Sequence, residues 1–263
     1  KSVCNNLNLE YLDLRNNILN FLPSEIGRLK KLTYLDIGRN FIDSLPSQIN
    51  SLSNLIELHI DRNKLQILPE KIGDLSNLNS LSIEENRIVN LPITLIRLTN
   101  LKHLTINKNK ILKLPVGFSN LKNLENLFLG DNKLYYFPTD VCNIKSLKWL
   151  DVSQNEISTI PNQISELSNL EWLDIQNNNI KNLPDGICEL KSLTTLILQN
   201  NEIANLPAKF GDLKNLNNLS LGNNLLGVFP KSITNLYNLK LLNLSNNGID
   251  SIPKEVSSLK ALE

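Results

Sequence analysis

Leu32-Thr-Tyr-Leu35-Asp-Ile37-Gly-Arg-Asn40-Phe-Ile42-Asp-Ser-Leu45-Pro46-Ser-Gln-Ile49-Asn-Ser-Leu52-Ser-Asn54 is one turn of a tandem array. Shifted forward or back by 23 positions, the same framework returns each time, so the 11 prolines run from Pro23 through Pro46 and Pro69 to Pro253 without a gap. Asn17, Asn40, Asn63 and their successors to Asn247 keep the same interval, as do the leucines from Leu9 to Leu262 and from Leu12 to Leu242. A strict period of this length means one supersecondary unit, copied and stacked, that cannot bury its apolar face alone. Full repeats cover residues 9–261 and partial repeats lie at both ends, giving a single elongated domain over residues 1–263.

Within the unit, the alternation around Leu35 and Ile37 has period two and predicts a short strand with one buried face. Stacked copies lay these strands side by side as a parallel sheet. The Asn that follows each strand is expected to pair with backbone groups bared by the turn, in register with the next repeat. Leu45-Pro46 marks the entry to the returning segment, with the proline as the first residue of a short helix or 3₁₀ turn. The spacing Ile26, Leu29, Leu32 is helix-like for one turn only and leaves α and 3₁₀ both open. Because the strand is narrower than the returning segment, the sheet should curve inward. The fold class is α/β, a horseshoe-shaped solenoid with a concave parallel sheet.

Composition excludes several functions. With 27 basic and 26 acidic residues in 263 the formal charge is +1, which provides no bulk field for nucleic acid or an anionic membrane. No apolar run approaches the roughly 18 residues of a membrane span, so no membrane insertion is expected. Cys4, Cys142 and Cys188 share one column with small residues such as Gly27, Gly73 and Ser165. Cys142 and Cys188 stand two strands apart, about 10 Å, beyond disulfide reach, and read as buried spacers in a reducing compartment. Residues 1–8 match the second half of a repeat and Leu262 opens another, which suggests a piece of a longer protein.

Function then belongs to the variable strand positions that face out of the sheet. Tyr11, Asp13, Tyr34 and Asp36 begin this surface; His59, Asp61, Glu84 and Glu85 make it acidic; His103, Lys108 and Lys110 turn it basic. Phe128, Trp149, Trp172 and Ile197 form an apolar strip edged by Asp151 and Asp174. Both tryptophans occupy the same slot of neighbouring repeats and should stand side by side, the composition of a binding hot spot. The candidate contact residues are therefore Tyr11, Tyr34, His59, Glu84, His103, Lys108, Phe128, Trp149, Asp151, Trp172, Asp174 and Ile197.

Catalysis finds little support. Asp36, His59 and Ser82 share a slot in three consecutive repeats, but strand spacing of about 5 Å exceeds hydrogen-bond reach and nothing resembles an oxyanion hole. His59 and His103 lie two strands apart, about 10 Å, too far to share a metal ion. Neither phosphate-binding glycine motif occurs, so no cofactor is expected. The sequons Asn218-Leu-Ser220 and Asn243-Leu-Ser245 fall on strands, where glycans would crowd the binding surface.

The motif Leu32-x-x-Leu35-x-Ile37-x-x-Asn40-x-Ile42-x-x-Leu45-Pro46-x-x-Ile49 resembles the 23-residue subtype of leucine-rich repeat proteins. Ras-suppressor and Scribble-like scaffolds, plant Ras-group proteins and several bacterial families have this subtype. The resemblance implies protein binding through the concave face, to partners such as a small GTPase or a phosphatase, and with the residues above the expectation is a non-enzymatic, monomeric, cytoplasmic scaffold. A second reading is a secreted or surface-exposed bacterial protein that engages a host molecule. A third is the recognition half of a multidomain enzyme.

Overall fold

In the computed structural model, which describes residues 2–263, every repeat adopts the same local path. The chain falls into two compact units, residues 1–133 and residues 134–263.

The first unit carries β1 (Tyr11–Asp13), β2 (Tyr34–Asp36), β3 (Glu57–His59), β4 (Ser80–Ser82), β5 (His103–Thr105) and β6 (Asn126–Phe128). They pair in parallel with a register of one repeat: Leu12 opposite Leu35, Leu35 opposite Leu58, Leu58 opposite Leu81, Leu81 opposite Leu104. β6 continues the series beside β5. The second unit carries β7 (Trp149–Asp151), β8 (Trp172–Asp174), β9 (Thr195–Ile197), β10 (Asn218–Ser220) and β11 (Leu241–Asn243), again parallel and in register. The central leucine of each strand points inward, and the residues on either side of it must therefore face out.

The returning segments settle the choice left open by the sequence: the helical pieces among the described residues are 3₁₀, none α. The reason lies in the apolar spacing. Ile26 donates its N–H to Pro23 at 3.0 Å, Leu29 to Ile26 at 3.1 Å and Leu32 to Leu29 at 3.0 Å. Three residues per turn stack these side chains on one line, and Ile26, Leu29 and Leu32 are all buried. A 3.6-residue turn would rotate the third away from the core. Contrary to expectation, proline is the N-cap of the segment and not its first helical residue. Pro23 is extended (φ −70°, ψ 149°), as are Pro46, Pro92 and Pro161. Its carbonyl begins the bonding series. After Pro69, Pro115 and Pro207 the 3₁₀ segment starts later, at Ile72, Phe118 and Phe210.

The asparagine column performs the expected pairing. Asn40 Nδ2 donates to Leu14 and Ile37 carbonyls, both at 3.0 Å, while its Oδ1 accepts from Leu19 N–H at 2.9 Å. Each buried amide thus joins its own repeat to the one before. The residue just ahead of it has φ between 51° and 57° in every repeat, whether it is Asn16, Arg39, Glu85, Lys108 or Gln154. The small-residue column has its cause in close packing: a Cβ on Gly73 would come 2.0 Å from the Thr94 carbonyl oxygen of the next repeat.

Candidate functional site

The out-facing positions acquire their geometry from the strand register. Leu150 and Leu173 are buried, so Trp149 and Asp151, and likewise Trp172 and Asp174, stand on the open face. Trp149 pairs in register with Trp172, and their rings stack with centroids 5.8 Å apart and planes 26° apart. Trp149 is 43% exposed and Trp172 half-buried. Thr195 stands beside Trp172 and the half-buried Ile197 beside Asp174.

The aspartates differ from a simple charged rim. Asp174 is only 5% exposed, and its carboxylate turns back to accept Gln176 N–H at 2.9 Å and Gln176 Nε2 at 2.9 Å. Asp151 accepts Ser153 N–H at 2.8 Å in the same way. These are Asx turns that close the strand end. Burial pushes the Asp174 carboxyl up to about 7, with the neighbouring Asp151 charge adding to the effect. From Asp174 a side-chain chain runs outward: Gln176 Oε1 accepts from Gln199 Nε2, and Gln199 Oε1 accepts from Ser220 Oγ at 3.2 Å. Next to it, Asn200 donates to Asn177, Asn223 to Asn200 and Asn246 to Asn223, each at 2.7 Å. Neither amide series was anticipated as a structure, although the recurrence of Asn every 23 residues ahead of the framework Asn was visible.

In the first unit, Tyr11 and Tyr34 stack at 4.3 Å with planes 6° apart, and Tyr34 lies 5.4 Å from the His59 ring. Arg15 pairs with Asp13 at 2.7 Å and with Asp36 at 3.2 Å. Tyr34 OH lies 3.3 Å from Asp36, and burial, followed by that charge, raises the phenol. Glu84 pairs with Lys108 at 3.1 Å. His103 is exposed on β5, and Phe128 is half-buried on β6 with Thr105 as its register neighbour.

The Asp36, His59, Ser82 row is in register but not connected. His59 meets Glu57 at 3.2 Å, Ser82 donates to Asp61, and Asp36 accepts from Gly38 N–H. Each member is engaged elsewhere, so no proton relay links them. The three cysteines are free and buried, and burial raises the thiols of Cys142 and Cys188 to about 11. Such thiols stay protonated and unreactive at neutral pH. Among the described residues no helix is long and apolar enough to cross a membrane.

A family profile described as a leucine-rich repeat region matches residues 1–67, 62–135 and 131–227, and a single-repeat profile matches residues 238–259. Among solved structures, a leucine-rich repeat protein of Leptospira interrogans is 32% identical, with a TM-score of 0.68 over 100% of this chain and 79% of that one. The plant peptide hormone receptor RGFR1, solved in complex with RGF2, is 26% identical with a TM-score of 0.82, over 99% of this chain and 48% of the receptor. TLR13, solved with ssRNA13, is 26% identical with a TM-score of 0.75, over 98% of this chain and 43% of that one. The chain thus spans most of the bacterial protein and under half of either receptor. No match is found among curated protein sequences.

Proposed function

The chain belongs to the leucine-rich repeat family, and from that premise we propose that it is a non-catalytic module that holds a protein or peptide partner on its sheet face, centred on Trp149 and Trp172. The repeat fold indicates a protein–protein interaction module in general. What supports this face in particular is the stacked indole pair: two large aromatic rings, one of them 43% exposed, held rigid by in-register strands. Rigid aromatic area beside polar groups is how hot spots gain affinity at low entropic cost. Asp151 and Ile197 flank it, while Asp174 acts from below the surface. Tyr11, Tyr34, His59, Glu84, His103, Lys108 and Phe128 are proposed as contacts of lesser weight, since several are already engaged with neighbours.

We read the molecule as a monomeric scaffold, and three buried free cysteines support a reducing compartment for it. Its partner is a signalling protein, a small GTPase or phosphatase by resemblance. The bacterial and receptor relatives favour a second reading, an exposed module that engages an extracellular molecule. Fractionation of cells producing the full-length protein separates the two.

The binding reading is tested by quantitative capture with the wild type, a Trp149→Ala/Trp172→Ala variant and a control, Val116→Ser, which alters an exposed residue of the first unit. An interactor retained by the control and lost by the double variant, with melting temperature preserved, is the expected result. Retention by a folded double variant overturns the proposal.

A further inference from the structure

We infer that the partner presents an arginine to this face, its guanidinium lying against the indoles and pairing with the carboxylate of Asp174. The inference rests on the reading of that face as a binding surface and names the chemistry it receives.

The chain contains a completed copy of the same arrangement. In the first unit Tyr11-Leu12-Asp13 and Tyr34-Leu35-Asp36 lie in register, with stacked rings and paired aspartates. In the second unit Trp149-Leu150-Asp151 and Trp172-Leu173-Asp174 repeat the pattern, again with stacked rings. Asp36 and Asp174 are equally buried, each 5% exposed, and each accepts the main-chain N–H two residues on. The difference is the counter-charge. Asp36 has Arg15, whose Nε sits 3.2 Å away while its Nη2 reaches Asp13 at 2.7 Å. The residue in the Arg15 slot of the second copy is Ser153, which is buried and carries no charge.

Asp174 is left with two neutral donors, both from Gln176, and no Lys, Arg or His among the described residues forms an ion pair with it. A buried carboxylate without a cation is costly, and its raised pKa reflects that cost. Supplying the cation in trans relieves it. A guanidinium suits the place better than an ammonium, because its plane stacks on indole while its N–H groups fork to carboxylate oxygens. Beside this point lies a cleft of ≈ 480 Å³ lined by Gln176, Ile197, Gln199, Asn218, Ser220 and Asn243, among others. Its amides and hydroxyls match the main chain of an extended peptide flanking that arginine.

Trp149 and Trp172 are the 2 tryptophans of the chain, so fluorescence excited selectively from tryptophan, clear of the 5 tyrosines, reports on this site alone. The test titrates the protein with acetyl-Gly-Arg-Gly-amide and with its citrulline counterpart, which keeps the shape and removes the charge. A saturable change with arginine and none with citrulline is expected. Asp174→Asn, which keeps an acceptor for Gln176 N–H, should weaken the arginine peptide by about tenfold, the ratio for loss of one charged hydrogen bond. Ser153→Arg should fill the site from within and abolish the response in the protein that remains folded. Equal response to both peptides, or no response to either, overturns the inference, as does an unchanged affinity in Asp174→Asn. If the inference fails while partner capture still depends on Trp149 and Trp172, the module reading stands. If capture too is insensitive to the tryptophans, both fail.

Discussion

At the scale of single residues, the position ahead of each framework Asn is left-handed, and in Arg39, Arg62, Glu85, Lys108 and Gln154 the residue there is one that suits it poorly. Arg39 sits at φ 53° with an exposed side chain, and Glu85 and Lys108 adopt the same conformation. For residues with a Cβ this region is disfavoured, and asparagine tolerates it best. Arg39→Asn should therefore stabilise the protein by about 0.5–1 kcal/mol, read as a rise in urea midpoint with unchanged slope. Asp174 offers a second test. Its folded pKa, about 7, lies above the ordinary 3.8, so the folded state holds its proton more tightly than the unfolded chain. The stability this group contributes is present below about pH 4 and is lost as pH rises toward 7. Asp174→Asn should thus match the wild type near pH 4 and exceed it at pH 8 by roughly 2–4 kcal/mol. A denaturation series over that range measures it.

At the scale of elements, the asparagine staple is the joint between repeats. Asn109 Nδ2 donates to the Ile83 and Ile106 carbonyls at 2.9 and 3.1 Å, and its Oδ1 accepts from Ile88 N–H at 3.0 Å. Asn109→Ala leaves those buried groups unmatched, at about 1–3 kcal/mol each, and should lower the melting temperature sharply. Strand, staple and solenoid were readable in the sequence because each depends on a residue type repeated at fixed spacing. The 3₁₀ form was encoded in the period-three run Pro23, Ile26, Leu29, Leu32, yet one turn is too short to distinguish it from α by apolar pattern alone. The left-handed position gave only a partial signal, since Asn or Asp holds it at Asn16, Asp131 and from Asn177 to Asn246, while Arg, Glu, Lys and Gln hold it in the other repeats. At the site, the meeting of Trp149 and Trp172 followed from register. The burial of Asp174 did not, because Asp13 and Asp151 accept the same main-chain bond and stay more open, and what covers Asp174 includes the Gln176 side chain folded onto it.

At the scale of the whole molecule, stability is distributed by nearest neighbours. Leu104 has strands on both sides and is fully buried, whereas Leu242, its equivalent on β11, is only half-buried. Leu104→Ala should cost about 2–5 kcal/mol and Leu242→Ala less than half of that. Amide exchange should be correspondingly faster on β11 than on β4 or β5. The staple has a further consequence for length. Each framework asparagine asks the same two things of the repeat before it, one carbonyl and one N–H, whichever repeat that is. Excision of residues 78–100 joins two such surfaces with every donor and acceptor matched, so unequal recombination between copies yields a foldable product rather than a broken one. The gene is in effect a ruler graduated in whole repeats, free to change its span while each recognition face is rewritten slot by slot.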